Sequence, residues 1–239
     1  MTSYLYAGKG GSGKTSQALQ TAKAIGSGLY AILEKKDEEI IIDALSETDV
    51  EVVNLSEINE STLMNDPVAT LILFSQFVER VKNEKPKVVV VDGISEIRTF
   101  AIDKWILENP IKEKGKTVAR TKIGKDHLSA WEEVNNITKA LIIPLINYGI
   151  WLQYPVVLTS WMSKDYIDDS VVGWSPAIKD WIEYPIQVIF EFIKAPHAKL
   201  YTVETRKIPS IYTPIDIVLD TEDKFVNKLI EQRNLLLRW

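Results

Sequence analysis

The sequence predicts an α/β fold: a mostly parallel sheet with helices on both faces and an antiparallel hairpin at one edge. Three stretches predict it. Residues 3–25 read as a short apolar strand, a glycine-rich loop and a helix. Residues 87–92 place four consecutive valines, Val88 to Val91, ahead of Asp92, the pattern of a strand covered on both faces and therefore of a parallel sheet. Residues 186–193 and 199–206 are two β-prone runs on either side of Ala195-Pro196-His197-Ala198, which reads as a hairpin.

The glycine loop carries the sharpest signal. Gly8, Lys9, Gly10, Gly11, Ser12, Gly13, Lys14 and Thr15 satisfy G-x-x-x-x-G-K-[ST], the phosphate-binding loop pattern, and Ser16 continues into the helix. Glycines let the backbone close around a phosphate where a Cβ would block it, and the wrapped amides with the helix N-terminus form an anion site. In that chemistry Lys14 reaches the β and γ phosphates and the Thr15 hydroxyl ligates Mg²⁺. A strand before the loop and a helix after it raise the match above a bare glycine-rich turn.

Further along, residues 29–33 read as a second buried strand ending at Glu34, followed by a charged cluster, a helix over 38–46 and a strand over 50–55. Asp66-Pro67 starts a helix by N-cap and N1-proline chemistry, and Ala69, Leu73, Phe77 and Val81 carry it to about Lys85. Asp92 falls at the C-terminal edge of its strand, beside the phosphate loop, and is the expected Mg²⁺ holder, directly or through water. A helix is expected over 94–108. Residues 112–125 then carry six basic side chains and one acidic one, the clear basic patch of the chain. It reads either as a solvated loop or as a mobile loop that grips nucleic-acid phosphates. A long helix over 131–151, kinked or ended near Pro144, precedes a core strand over 153–160 with a polar end. Residues 161–175 read as a second loop whose Trp161, Tyr166 and Trp174 could stack on bases or pack on the sheet. A short helix over 176–183 and a C-terminal helix over about 221–237 complete the chain, read as a single domain over 1–239.

Composition bounds the function. With 239 residues, 46 % hydrophobic and 26 % charged, the chain can bury one sizeable core. A net charge of −5 argues against a general nucleic-acid-coating surface, so any such contact must be local. No cysteine is present, which excludes disulfides, thiolate metal sites and a cysteine nucleophile. His127 and His197 lack metal-ligand spacing. No apolar run reaches membrane-spanning length, and with no signal-peptide pattern at the N-terminus an intracellular, cytoplasmic protein is expected.

The order of parts resembles the RecA-like ATPases over about residues 3–215: a phosphate loop, a strand ending in Glu34, a strand ending in Asp92, a strand ending in Thr159-Ser160, and a hairpin ending in Thr205-Arg206-Lys207. Within that class the resemblance is to the small phage and archaeal-virus nucleotide-binding proteins of the Sak4-like type, which implies a viral or plasmid origin. The resemblance implies binding and hydrolysis of ATP with Mg²⁺. It assigns Glu34 to the water that attacks the γ phosphate, Thr159 or Ser160 to a polar sensor, and Arg206 and Lys207 to a neighbouring subunit's nucleotide, hence self-association. It also implies single-stranded DNA as partner, through 112–125 and 161–175, and a role in recombination, annealing or replication. The usual sensor is Gln, Asn or His, so Thr159 departs from the pattern.

Lys9 also fits a second class. The MinD/ParA/nitrogenase-iron-protein ATPases carry an early loop lysine that crosses a dimer interface to the partner's phosphates, and Lys9-Gly10-Gly11-Ser12-Gly13-Lys14-Thr15 resembles their loop. The flanks differ from that class: Glu34-Lys35-Lys36-Asp37 replaces its Asp-x-Asp, and Gly93 rather than proline follows Asp92.

Overall fold

The computed structural model describes residues 3–33, 38–56, 58–59, 64–113, 116–124, 127–167, 170–178, 180–194, 201–207 and 216–219. The elements in chain order are β1 (Ser3–Gly8), α1 (Lys14–Ile25), β2 (Ser27–Ile32), α2 (Glu38–Leu45), β3 (Asp49–Asn54), a small hairpin of β4 (Ile58–Asn59) and β5 (Met64–Asn65), α3 (Pro67–Glu84), β6 (Val89–Asp92) and α4 (Glu96–Glu108). They continue with a second small hairpin of β7 (Ile111–Glu113) and β8 (Lys116–Val118), then α5 (Leu128–Leu152), β9 (Val156–Ile167), β10 (Ser170–Pro176), α6 (Asp180–Glu183), β11 (Val188–Lys194), β12 (Tyr201–Lys207) and β13 (Asp216–Leu219).

One large sheet runs β13-β12-β11-β1-β9-β6-β2-β3. The strands from β11 to β3 are parallel to their neighbours, and β12 and β13 add antiparallel at one edge. Alternation along each strand divides the core. Leu5, Ala7, Val89, Val91, Val156 and Leu158 face one side, against Phe74, Phe77 and Val81 of α3 and Leu141, Ile142 and Leu145 of α5. Tyr4, Tyr6, Val88, Val90, Val157 and Phe190 face the other, against Ala18 and Ala22 of α1 and Ile41 and Leu45 of α2. The valine run of β6 is fully buried because both of its faces carry helices.

Local chemistry sets the helix ends. Asp66 caps α3, its Oδ1 accepting from the amides of Val68 and Ala69 at 2.9 and 3.0 Å, ahead of Pro67 at the first helical position. α1 starts differently. Gly13 precedes it with φ 86°, no side chain caps it, and its first turn holds no acid.

The structure corrects three expectations. Residues 161–175 do not form a loop: β9 continues to Ile167 and pairs antiparallel with β10. Strand-forming residues on both arms, among them Trp161, Val171 and Trp174, outweigh the polar residues between them. The helix expected over 176–183 is reduced to Asp180–Glu183. α5 is continuous through Pro144, because packing of Leu141, Ile142, Leu145 and Ile146 on the sheet carries it past the missing amide bond. The described part of 112–125 holds the β7–β8 hairpin. The C-terminal helix expected over 221–237 lies outside the described residues.

Candidate functional site

The phosphate loop joins β1 to α1. Gly11 and Gly13 take positive φ of 72° and 86°, the left-handed turns that point successive amides into one space. Gly8 is glycine for room: a Cβ there would sit 2.2 Å from Ser12 Oγ and 2.8 Å from the Phe192 carbonyl oxygen. Ser12 Oγ is buried and has no hydrogen-bond partner among the described residues. A cleft of about 480 Å³ opens over the loop, lined by Gly11 to Ser16, by Leu19, Ile40 and Ile41, and by Trp161. Lys9 and Gly10 lie on the other side of the loop, in a cavity of about 600 Å³ shared with Trp174, Phe192 and Lys194.

Asp92 is the charged centre beside this loop. It ends β6, is fully buried, and accepts three side-chain hydroxyls. Thr159 Oγ1 donates to Oδ1 at 2.5 Å, Thr15 Oγ1 donates to the same oxygen at 3.2 Å, and Tyr30 OH donates to Oδ2 at 3.3 Å. Thr159 Oγ1 in turn accepts from the Gly93 amide at 2.9 Å, which fixes its donor direction toward the carboxylate.

The donor set fits Mg²⁺. Adjacent oxygens of an octahedral Mg²⁺ lie about 3 Å apart, given metal–oxygen distances of about 2.1 Å, and Thr15 Oγ1 and Asp92 Oδ1 are 3.2 Å apart. Among the described residues no group of three or more His, Cys, Asp or Glu could hold a metal. One carboxylate with one hydroxyl suits a cation that takes its remaining ligands from water and phosphate.

Lys14 is 4 % exposed, and its Nζ lies over the Trp161 ring, 3.9 Å from the centroid. Lys9 Nζ lies over the Trp174 ring at 3.8 Å. Both tryptophans belong to the β9–β10 hairpin, which packs on the phosphate loop because β9 neighbours β1 and pairs Trp161 with Gly8.

The fold of this chain recurs in solved structures. The RadB recombinase crystal structure superposes with a TM-score of 0.52 at 15 % identity, covering 91 % of this chain and 86 % of that one. The fold is RecA-like. A KaiC-like protein from the hyperthermophilic archaeon Pyrococcus horikoshii superposes at 0.48 with 13 % identity, over 91 % of this chain and 84 % of that one. No family model matches the sequence, and no curated protein is significantly similar to it.

Within this RecA-like fold the expected residues separate into three groups. Gly8 to Ser16 run from the end of β1 into α1, and Thr15 among them meets Asp92. Glu34 lies outside the described residues. Its neighbour Leu33 donates its amide to the Asp92 carbonyl at 3.1 Å, so the chain enters that segment beside Asp92. Arg206 and Lys207 lie on β12, where Lys207 pairs with Ile189, three residues before the Phe192 that pairs with Gly8. In the chain's own frame their backbone is set back from the phosphate loop. Thr159 meets Asp92 directly, and Ser160 Oγ donates to the Trp161 carbonyl.

Sequence reasoning missed Tyr30. A tyrosine inside a buried strand carries no signal until β2 is known to neighbour β6. It also read Trp161 only as a stacking or packing residue. Its place next to Thr159-Ser160 at a strand end was visible, but the pairing of β9 with β1 was not.

Proposed function

We propose that the protein is a Mg²⁺-dependent ATPase of the RecA-like class that acts on DNA as an oligomer. The observation that carries this reading is the convergence of Thr15 and Asp92 to 3.2 Å at the edge of a cleft that also contains Lys14 and the first turn of α1. The loop amides from Gly10 to Thr15 bind phosphate oxygens, and Lys14 pairs with the outer phosphates. The apolar side of the cleft, Leu19, Ile40 and Ile41, takes the base by contact and shape. Thr15 and Asp92 hold the metal, with Thr159 and Tyr30 orienting the carboxylate. When bound, Mg²⁺ neutralises charge on the β and γ phosphates. Glu34, one residue beyond the Leu33–Asp92 contact, orients and deprotonates the attacking water. Arg206 and Lys207 supply positive charge in trans to a neighbour's phosphates.

A RadB recombinase as fold neighbour supports a DNA-related role, as does the basic segment. The segment's described side chains are mostly exposed, Lys122 among them, while Ile123 is buried and anchors it. Arg120 is spent internally: its Nε donates to the Asn109 carbonyl at 3.0 Å and its guanidinium lies over Trp105. In this reading the segment's lysines, Lys112, Lys114, Lys116, Lys122 and Lys125, supply the cations for DNA phosphates. Small size and this order of parts support the viral DNA-annealing class within the fold, and no described helix is long and apolar enough to cross a membrane.

The test is Mg·ATP binding and turnover in the wild type, Lys14→Ala and Asp92→Asn. Both variants are expected to lose hydrolysis by at least about a hundredfold, the scale of losing a preorganised charge at a transferring phosphate. Single-stranded DNA is expected to stimulate the wild type, less so as salt rises. Full turnover in Lys14→Ala overturns the assignment. Loss of ATP-dependent assembly in Lys9→Ala, with assembly intact in Arg206→Ala, moves the protein to the class in which the early lysine acts in trans.

A further inference from the structure

The β9–β10 hairpin does more than flank the phosphate loop. Its Trp161 ring forms one wall of the phosphate cleft, 3.9 Å from the Lys14 ammonium. The ring also sits against the loop backbone, since a Cβ on Gly10 would come within 3.2 Å of it. Lys14 is buried, so its ammonium exchanges little with water and the ring face is a real part of its solvation. A triphosphate in the cleft needs that same ammonium. The ring and the phosphates are thus two ligands for one cation.

We propose that Trp161 is a positioning residue for Lys14 that competes with nucleotide phosphate: with the cleft empty the ring holds the ammonium, and phosphate binding draws Lys14 off the ring and loosens the hairpin from the loop. This rests on the phosphate-site reading above. Trp161 directly follows Thr159-Ser160, and Thr159 holds Asp92. One strand therefore contacts both the loop lysine and the metal-holding carboxylate, and it continues into a hairpin whose second tryptophan, Trp174, lies against Lys9 and Lys164 at 3.8 and 5.7 Å. Filling the cleft changes the contacts at the root of that hairpin, so its packing on the loop reports the state of the site.

The competition has a direction. Removing the ring removes the competitor, so phosphate binds more tightly. The gain expected from one desolvated cation–π contact is roughly two- to thirtyfold. Because the competitor is displaced by phosphate alone, the gain is the same for a ligand without a base. The experiment is calorimetric titration of wild type, Trp161→Leu and Trp161→Phe with Mg·ATP and with Mg·tripolyphosphate. Trp161→Leu is expected to lower Kd for both ligands by the same factor, and Trp161→Phe to lie between it and the wild type, since a phenyl face attracts a cation less than an indole. Tripolyphosphate is also expected to change the tryptophan fluorescence of the wild type more than that of Trp161→Phe.

Unchanged or weaker tripolyphosphate binding in both variants overturns the proposal. Weaker ATP binding with unchanged tripolyphosphate binding also overturns it, because the ring would then serve the base. Should Trp161→Leu fail to fold, Trp161→Phe keeps ring volume and the same Kd comparison decides. Failure of the wild type to bind either ligand is a different outcome: it removes the phosphate-site reading itself, and the proposal with it.

Discussion

Thr159→Val isolates the contact that ties the Asp92 carboxylate to the sheet. Valine keeps the shape of threonine, so no cavity opens and the change is one of hydrogen bonding. Two bonds are lost together. The hydroxyl no longer donates to the buried Asp92 carboxylate at 2.5 Å, and the Gly93 amide loses its acceptor at 2.9 Å. A hydrogen bond to a charged group contributes about 1.5–3 kcal/mol, and an orphaned buried donor costs about 1–3 kcal/mol. The two losses overlap, because Gly93 follows Asp92 and relaxes with it, so a total of about 2–5 kcal/mol is expected. For a chain of this size that lowers Tm by roughly 5–15 °C. The assay is urea and thermal unfolding of the wild type, Thr159→Val and Thr159→Ser. Serine keeps the hydroxyl, so Thr159→Ser is expected to retain most of the stability and nearly normal Mg²⁺ dependence. Thr159→Val is expected to need more Mg²⁺ for half-maximal turnover. A Thr159→Val stability within about 0.5 kcal/mol of wild type, or Thr159→Ser as damaged as Thr159→Val, refutes the reasoning.

Gly8→Ala and Gly28→Ala separate the loop from the sheet. Gly8→Ala forces a Cβ onto Ser12 Oγ and the Phe192 carbonyl, so Mg·ATP binding is expected to be lost, as read by calorimetry. Gly28→Ala places a Cβ 2.2 Å from the Val88 carbonyl at the far end of β2, so it is expected to destabilise by about 1–3 kcal/mol while ATP affinity well below Tm stays at the wild-type value. The edge strand β3 is tied to α3 by Arg80, which forks onto both Glu51 carboxylate oxygens at 2.7 and 2.5 Å. Arg80 holds the Glu51 carboxyl below its ordinary value of 4.5, so the pair's contribution is complete above that pH and is lost as pH falls through the lowered folded value. Both side chains are solvent-screened, so Glu51→Gln is expected to cost no more than about 1 kcal/mol at neutral pH, with wild type and variant converging in acid unfolding curves. Reversing charge at Lys116 and Lys122 is expected to weaken single-stranded DNA binding and flatten its salt dependence without changing ATP affinity, measured by fluorescence anisotropy.

What the residues reveal depends on how far apart in the chain the cause lies. The phosphate loop is legible because its chemistry is local: glycine placement, a lysine and a hydroxyl within eight residues, with strand and helix on either side. Asp92 is legible because a strand buried on both faces must surface at its C-terminal edge. The same reasoning recovers α3, whose cap and proline are adjacent in the chain. It misreads 161–175, where polar residues at the tip suggested a loop and only pairing across the turn shows two strands. Pro144 is misread for a related reason, since its cost is local while the helix is held by contacts with α3 and the sheet.

The remaining gap is strand order, and β9 shows why it matters. Nothing local tells a reader that β9 lies between β1 and β6. Once it does, its end must face both the loop from β1 and the acid from β6. Side chains alternate along it, so Leu158 packs into the core shared with α3 and α5 while Thr159 meets Asp92 at the sheet's edge. Trp161, two residues on, reaches Lys14. Thr159 is short enough to bond the Asp92 carboxylate directly, and Trp161 makes the contact with Lys14. Under the proposed function β9 addresses the nucleotide site through two side chains, and Thr159→Val and Trp161→Leu are expected to act on different halves of it: the first on Mg²⁺ dependence and stability, the second on phosphate affinity.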